Sequence, residues 1–306
     1  MSNPRFERIG VDRRESEMIA RPVMSYWQDA FRRLRKNKPA IAALCFLIVI
    51  ALLAVFVPLI ASRSYSDMIP SLQFRFDRDI ISKGYLLGTD DFGRDLFVRL
   101  WSGARISLMI ALIVVIIEGL IGALYGGIAG YAGGYVDMVM MRFVEILMAI
   151  PSMIYIILFM VIMGPGVHTI IIAMAITRWL DMAMIVRGEV LKLKEQEYVL
   201  ASRSLGASPL RIVTKHLLPN AMGQIIVRLT LDIPLAIFTE AFLSFIGIGV
   251  PAPLASWGRL ANEGYVQIMQ YPYLFIIPAI MISVTTLAFN ILGDGLRDAL
   301  DPKLRK

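Results

Sequence analysis

Residues 195–220 read EQEYVLASRSLGASPLRIVTKHLLPN and lie between two long apolar runs. The stretch is polar and basic, with helix-forming residues on both sides of Gly206. Val199, Ala201-Ser202 and Leu205 fit one short helix ending at Gly206, because glycine tolerates the left-handed conformation found after a helix C-terminus. Ser208-Pro209 fits the opening of a second short helix, with serine as N-cap and proline in the first turn. The expected product is two short helices at an angle, lying outside a membrane. Small residues at 201 and 202 leave room for a partner surface. A helical hairpin at the interface, without a partner, fits the same pattern.

The flanking sequence sets the context. Of 306 residues, 57% are hydrophobic and 18% charged, and the mean hydropathy is +0.67. That composition points to an all-α, polytopic membrane protein. The formal net charge of +7 then bears on membrane orientation, and no nucleic-acid partner is expected. Cys45 is the single cysteine, which excludes an intrachain disulfide and a cysteine metal site. His168 and His216 are too far apart in sequence to suggest a metal centre.

Runs of about 20 apolar residues mark spanning helices. Six are expected: 39–60, 106–129, 138–163 (broken at Pro151), 169–186, 222–247 and 273–292. The first begins only near Pro39, after a charged segment, so no cleavable signal peptide is expected. In that segment Arg5, Arg8, Arg13 and Arg14 lie among acids. Further on, Trp27, Phe31 and Leu34 recur at helical spacing between Arg32, Arg33, Arg35 and Lys36. This fits an amphipathic helix at the membrane surface, or a basic flank that orients the first span.

The expected organisation is a cytoplasmic segment over 1–38, a transmembrane domain over 39–292 and a cytoplasmic tail over 293–306. Within the domain, 63–104 forms a charge-balanced external loop and 187–220 a cytoplasmic one. Basic residues cluster at Arg32 to Lys38, at Arg187, Lys192, Lys194, Arg203, Arg211 and Lys215, and at Arg297, Lys303, Arg305 and Lys306. The external loops after the third and fifth spans hold only Arg259. By the positive-inside rule, both termini and the 187–220 loop are cytoplasmic, in a multi-pass protein of the cell membrane in contact with lipid.

No Gly-x-x-x-x-Gly-Lys-Ser/Thr phosphate loop occurs, nor any nucleophile elbow or metal-ligand spacing. The chain is not expected to be an enzyme in itself.

Several motifs carry a family resemblance. Ala201-Ser202, Gly206 and Leu218-Pro219 match the spacing of the cytoplasmic coupling loop of ABC importer permeases. Leu87-Gly88-Thr89-Asp90-Asp91-Phe92-Gly93-Arg94-Asp95, then Gly103-Ala104-Arg105-Ile106-Ser107-Leu108, resembles the segment before the second span in dipeptide, oligopeptide and nickel importer permeases. Phe245-Ile246-Gly247-Ile248-Gly249-Val250-Pro251-Ala252-Pro253 with Ser256-Trp257-Gly258, and the 290–302 stretch, resemble later parts of the same permeases. The chain is thus similar to their C-type transmembrane subunit over most of 25–306. It departs from the loop pattern at Leu200, Ser202 and His216, where the family has glutamate, alanine and isoleucine.

The resemblance implies a type I ABC importer permease fold and transport of di- or oligopeptides by alternating access, driven by partner ATPases. Nickel or another small solute is the alternative cargo. The implied partners are a second related permease, two ATP-binding subunits and an extracytoplasmic solute-binding protein. ATP and magnesium would reside in those ATPases, with no cofactor in this chain. Glu197, Leu200, Ala201, Ser202, Gly206, Ala207, Leu218 and Pro219 are the expected ATPase-coupling residues. Asp90, Asp91, Arg94, Asp95 and Trp257 are candidates for docking the binding protein. Thr89, Asp90 or Asp91 could equally cap a helix with Phe92, Leu96, Leu100 and Trp101 on its apolar face.

Ionisable residues inside the expected spans are Glu118, Arg178, Asp181, Arg228, Asp232 and Glu240. Each costs roughly 2.5–3.5 kcal/mol at a helix centre. Arg178 with Asp181, and Arg228 with Asp232, are spaced to pair along one helix. Glu118 and Glu240 have no such neighbour, which leaves them to line a polar translocation path or to pair with another subunit. An ion-coupled secondary transporter, the alternative of another class, would depend on these two acids and not on the 195–220 loop.

Overall fold

The computed structural model describes residues 26–301. The arginines at 5, 8, 13 and 14 and the basic tail residues Lys303, Arg305 and Lys306 lie outside the described residues. Helices account for the fold; among the described residues the only β pairing is an isolated bridge between Thr89 and Asp95.

Helix α1 (Tyr26–Lys36) is the amphipathic element anticipated before the first span. It buries Ala30 beside Val227 and Leu300 and leaves Trp27 and Phe31 exposed. Asn37 accepts a hydrogen bond from the Ala40 amide and opens α2 (Lys38–Ile60), with proline in its first turn. At 1.5 Å per residue its 23 residues reach about 35 Å, enough to cross a bilayer core.

The second span starts earlier than the apolar pattern indicates. Helix α4 runs Leu96–Ala132, so nine residues assigned to the external loop, 96–104, are helical. The cap is Asp95, which accepts from the Phe97 and Val98 amides, not Thr89, Asp90 or Asp91. Leu96, Leu100 and Trp101 are buried as anticipated, whereas Phe92 is exposed. Between α2 and α4 the chain forms a 3-10 turn (Pro70–Leu72), the short helix α3 (Arg78–Ser82) and irregular loops.

Helices α5 (Gly134–Met148) and α6 (Ser152–Met163) flank Pro151 and are bent by 73°. Pro151 cannot donate to the helix ladder. Helix α7 (Val167–Leu193) continues past the expected span end at 186. The coupling segment follows as α8 (Glu197–Ser204), α9 (Pro209–Ile212) and a π turn over Val213–Leu217. Helix α10 (Leu218–Phe245) comes next. A helix that was not anticipated, α11 (Trp257–Val266), lies in the loop over 248–271, capped by Ser256. Helix α12 (Tyr273–Leu300) ends the described chain, running beyond the expected span end at 292.

Among the described residues, α2, α4, α7 and α12 are long and apolar enough to cross a membrane, and the bent α5–α6 pair makes five when counted as one broken span. The remaining expected span, α10, is 28 residues long and carries Arg228, Asp232 and Glu240. The architecture is a polytopic helical membrane protein compatible with six spans.

The most extensive interface joins α4 to α7. Gly122, Gly126 and Gly130 lie one turn apart on α4, and a Cβ on Gly126 would come within 2.2 Å of the Ala183 carbonyl oxygen. The stripe therefore sets how closely the two backbones approach. The main core draws Ile110, Val114 and Ala111 from α4, Ile170 and Met174 from α7, Ile237 and Leu243 from α10, and Trp257 from α11.

Candidate functional site

The polar segment that opened the sequence reading is a structured ledge at one end of the bundle. Val199, Ile212, Val213 and Leu217 are buried. They pack with Met182, Val186 and Val190 of α7 and with Ala221 and Ile225 of α10. Hydrophobic burial thus fastens the segment to α7 and α10. Polar contacts add to it. Lys194 Nζ donates to the Gly130 carbonyl at 3.1 Å, and the Arg203 guanidinium lies 5.3 Å from the Tyr131 ring centre.

The opposite face of the ledge is apolar and uncovered. Leu205 is 88% exposed, Leu210 62% and Leu200 44%. Tyr198 is also exposed there, and partial burial raises its hydroxyl pKa. Gly206 has φ +79° with nothing within 4 Å of a built Cβ, so conformation rather than space calls for glycine. Glu197, Ala201 and Pro219 are exposed, and Ser202, Ala207 and Leu218 are half-buried. Ser208 sits at the cap position before Pro209, but its side chain makes no cap hydrogen bond. Leu200, where the family pattern has glutamate, enlarges the apolar face.

Two buried polar clusters tie the spanning helices together. Arg178 does not pair with Asp181. Its Nε donates to Glu118 at 3.2 Å, and its Nη2 donates to the Asp232 carbonyl at 3.2 Å and lies 3.7 Å from the Asp232 carboxylate. Arg228 pairs with Asp232 at 2.6 Å as the spacing indicated, with Asp181 at 3.9 Å. The cluster joins α4, α7 and α10. Glu240 is fully buried; Ser107 Oγ and Ser244 Oγ each donate to it at 2.7 Å. The Trp257 amide in turn donates to Ser107 Oγ at 3.2 Å. Glu118 and Glu240 are therefore interior groups with partners in this chain. Neither needs another subunit to be satisfied.

The candidate docking residues also prove internal. Asp90, Arg94, Asp95 and Trp257 are buried. Arg94 pairs with Asp90 at 2.7 Å and Asp91 at 3.2 Å, and Arg99 pairs with Asp90 and with Glu263, the latter at 2.9 Å. Trp257 Nε1 donates to the Leu100 carbonyl at 3.1 Å. These contacts clamp the 87–95 motif to α4 and α11. Asp91 alone keeps a half-exposed carboxylate, its pKa raised by burial and by neighbouring Asp90. Asp90, Asp91 and Glu263 converge, but Arg94 and Arg99 already neutralise them. The pairing of Arg99 with Glu263 joins residues 164 apart along the chain, which sequence spacing does not reveal.

Comparison with known proteins follows this geometry. The family described as "Binding-protein-dependent transport system inner membrane component" matches residues 122–306. A second, the "N-terminal TM domain of oligopeptide transport permease C", matches residues 25–77. The oligopeptide transport system permease protein OppC of Bacillus subtilis is 50% identical over 301 residues, covering 98% of this chain and 97% of that protein. The dipeptide transport system permease protein DppC of the same organism is 49% identical, covering 96% and 91%. OppC of Escherichia coli K12 is 44% identical, covering 95% of each. Among solved structures, an amino acid ABC transporter chain aligns with TM-score 0.50 at 20% identity, over 73% of this chain and 98% of that one. That likeness concerns the fold alone.

Proposed function

The chain belongs to the binding-protein-dependent transport system inner membrane component family and is a permease subunit of a peptide ABC importer; from this we propose that the 195–220 ledge is the surface through which a partner ATPase drives it. The observation that carries the proposal is the pairing of two faces on one short segment. One face buries Val199, Ile212 and Leu217 in the bundle, and the other exposes Leu200, Leu205 and Leu210. A push on the exposed leucines is delivered directly to α7 and α10.

Binding-protein-dependent ABC importers work with further permease, ATPase and binding-protein components. For this chain we take the set to be a second related permease, two ATP-binding subunits and an extracytoplasmic solute-binding protein. ATP and magnesium bind in the ATPases, and this chain carries no cofactor of its own. The basic clusters around α1 and the ledge support a cytoplasmic position for the termini and the ledge. ATP-driven closure of the ATPases brings the two ledges together, the spans open outward to receive peptide, and hydrolysis resets them.

Magnitudes support this division of labour. Turning a 1:99 population into 99:1 takes about 5.5 kcal/mol of differential binding. ATP clamped between two ATPases supplies that more readily than a cargo that must be released. Glu118 and Glu240, neutralised or hydrogen-bonded inside the chain, are poor candidates for the ion-coupled alternative.

Gly206→Val in the assembled transporter tests the proposal. A β-branched residue resists φ +79°, so the turn between α8 and α9 shifts. Peptide uptake in proteoliposomes is expected to fall at least tenfold while the complex still hydrolyses ATP. Unchanged uptake would sink the coupling role of the ledge.

A further inference from the structure

A cleft of about 450 Å³ lies where the end of α2 meets the first turns of α4. Arg63, Ser102 and Arg105 are among its lining residues. Two of these are uncommitted. Arg105 is exposed and makes no hydrogen bond or ion pair among the described residues. Ser102 is only 6% exposed, and its Oγ is buried without a hydrogen-bond partner. A buried hydroxyl without a partner is costly, and here it borders a cavity that could supply one. Arg63 is already engaged. It donates to the Lys83 carbonyl at 2.8 Å, lies 3.6 Å from Asp95 and stacks on Tyr85.

A second cleft of about 400 Å³ adjoins the first and shares Ala61, Ser62, Arg63 and Val98 with it. Its character is different. Leu53, Phe56, Val57 and Ile60 of α2, with Phe97 of α4, line it. From Ile60 back to Leu53 the groove descends about 10 Å along a spanning helix. The first cleft sits at the level where α2 ends and the polar loop begins, which is the depth of lipid headgroups.

We propose that the two clefts together bind one phospholipid, its phosphate held by Arg105 and Ser102 and an acyl chain lying along Leu53, Phe56 and Val57. The free guanidinium complements the phosphodiester charge, and the orphan hydroxyl supplies a second hydrogen bond. A free anion would use only the polar cleft. The contiguous apolar groove, aligned with a membrane-spanning helix, selects a ligand with a hydrocarbon tail. On this reading the lipid covers Phe56 and Ile60, which are otherwise exposed in the groove, and fastens α2 to α4.

The test uses the full chain purified with its partner subunits in dodecyl maltoside, delipidated, and titrated with dioleoylphosphatidylglycerol. Retained lipid is read by native mass spectrometry. Wild-type protein is expected to retain lipid, Arg105→Gln to weaken retention about tenfold, and Arg105→Lys to restore part of it. Phe56→Ala, which leaves the polar cleft intact, is expected to weaken retention as well. Glycerol 3-phosphate is expected to compete poorly. Unchanged retention in a monodisperse Arg105→Gln complex would overturn the proposal. So would equal competition by glycerol 3-phosphate, which would mark a free-anion site. Displacement by trialanine but not by its C-terminal amide would also overturn it, in favour of a peptide-carboxylate site.

Discussion

At Leu205 a large apolar side chain stands 88% exposed beside the left-handed Gly206, on a segment whose inner face is fully packed. Little stability rests on such a side chain. Leu205→Asp should leave the thermal unfolding of the detergent-solubilised chain nearly unchanged. It should weaken ATPase association by about 2 kcal/mol or more if the leucine is an interface anchor. Co-purification of the ATP-binding subunits with the variant reads this directly. Arg178 is the opposite case. Its removal in Arg178→Ala strands Glu118, while Asp232 keeps Arg228, and an uncompensated buried charge costs about 3–5 kcal/mol. A large drop in the melting temperature of the solubilised chain is expected. This pairing was not legible in the sequence. Spacing shows only neighbours along one helix, and so it offered Asp181, whereas the partner is 60 residues away. The Arg228–Asp232 pair, four residues apart, was legible for the same reason.

The elements show where hydropathy reads a helix and where it does not. Spans were located from apolar runs, so polar extensions were lost at Leu96 to Arg105, at the end of α7, and from Gly293 to Leu300 of α12. Those ends are helical because caps and tertiary partners hold them, as Asp95 and the Arg99 pairs do for α4. Helix α11 was hidden among prolines and glycines, although Ser256 before Trp257 was a usable N-cap signal. Gly122, Gly126 and Gly130 of α4 form its packing stripe against α7. Gly126→Ala places a Cβ against the Ala183 carbonyl, and overpacking of this kind costs about 1–3 kcal/mol. Gly188→Ala on α7 meets nothing within 4 Å and should stabilise by up to about 1 kcal/mol through helix propensity. Paired thermal-unfolding curves of the two variants check both signs.

The whole molecule is a bundle with a polar clamp at one end and a half-apolar ledge at the other. The clamp, from Asp90 through Arg94 and Arg99 to Glu263, locks the 87–95 motif onto α4 and α11. The ledge is fastened to α7 and α10, and the Glu118–Arg178–Asp232 cluster and the α4 glycine stripe couple those helices to α4. Displacement at the ledge therefore reaches the bundle interior through packed helices. Cysteine cross-linking tests this account most directly, because Cys45 is the single native cysteine. A Cys45→Ser chain carrying Leu205→Cys, assembled with its partners in native membranes, is treated with a short bifunctional maleimide. The account predicts a cross-linked product with an ATP-binding subunit, its yield changing when ATP is added. Labelling of position 205 by a membrane-impermeant maleimide from outside the cell, with no ATPase product, would contradict it.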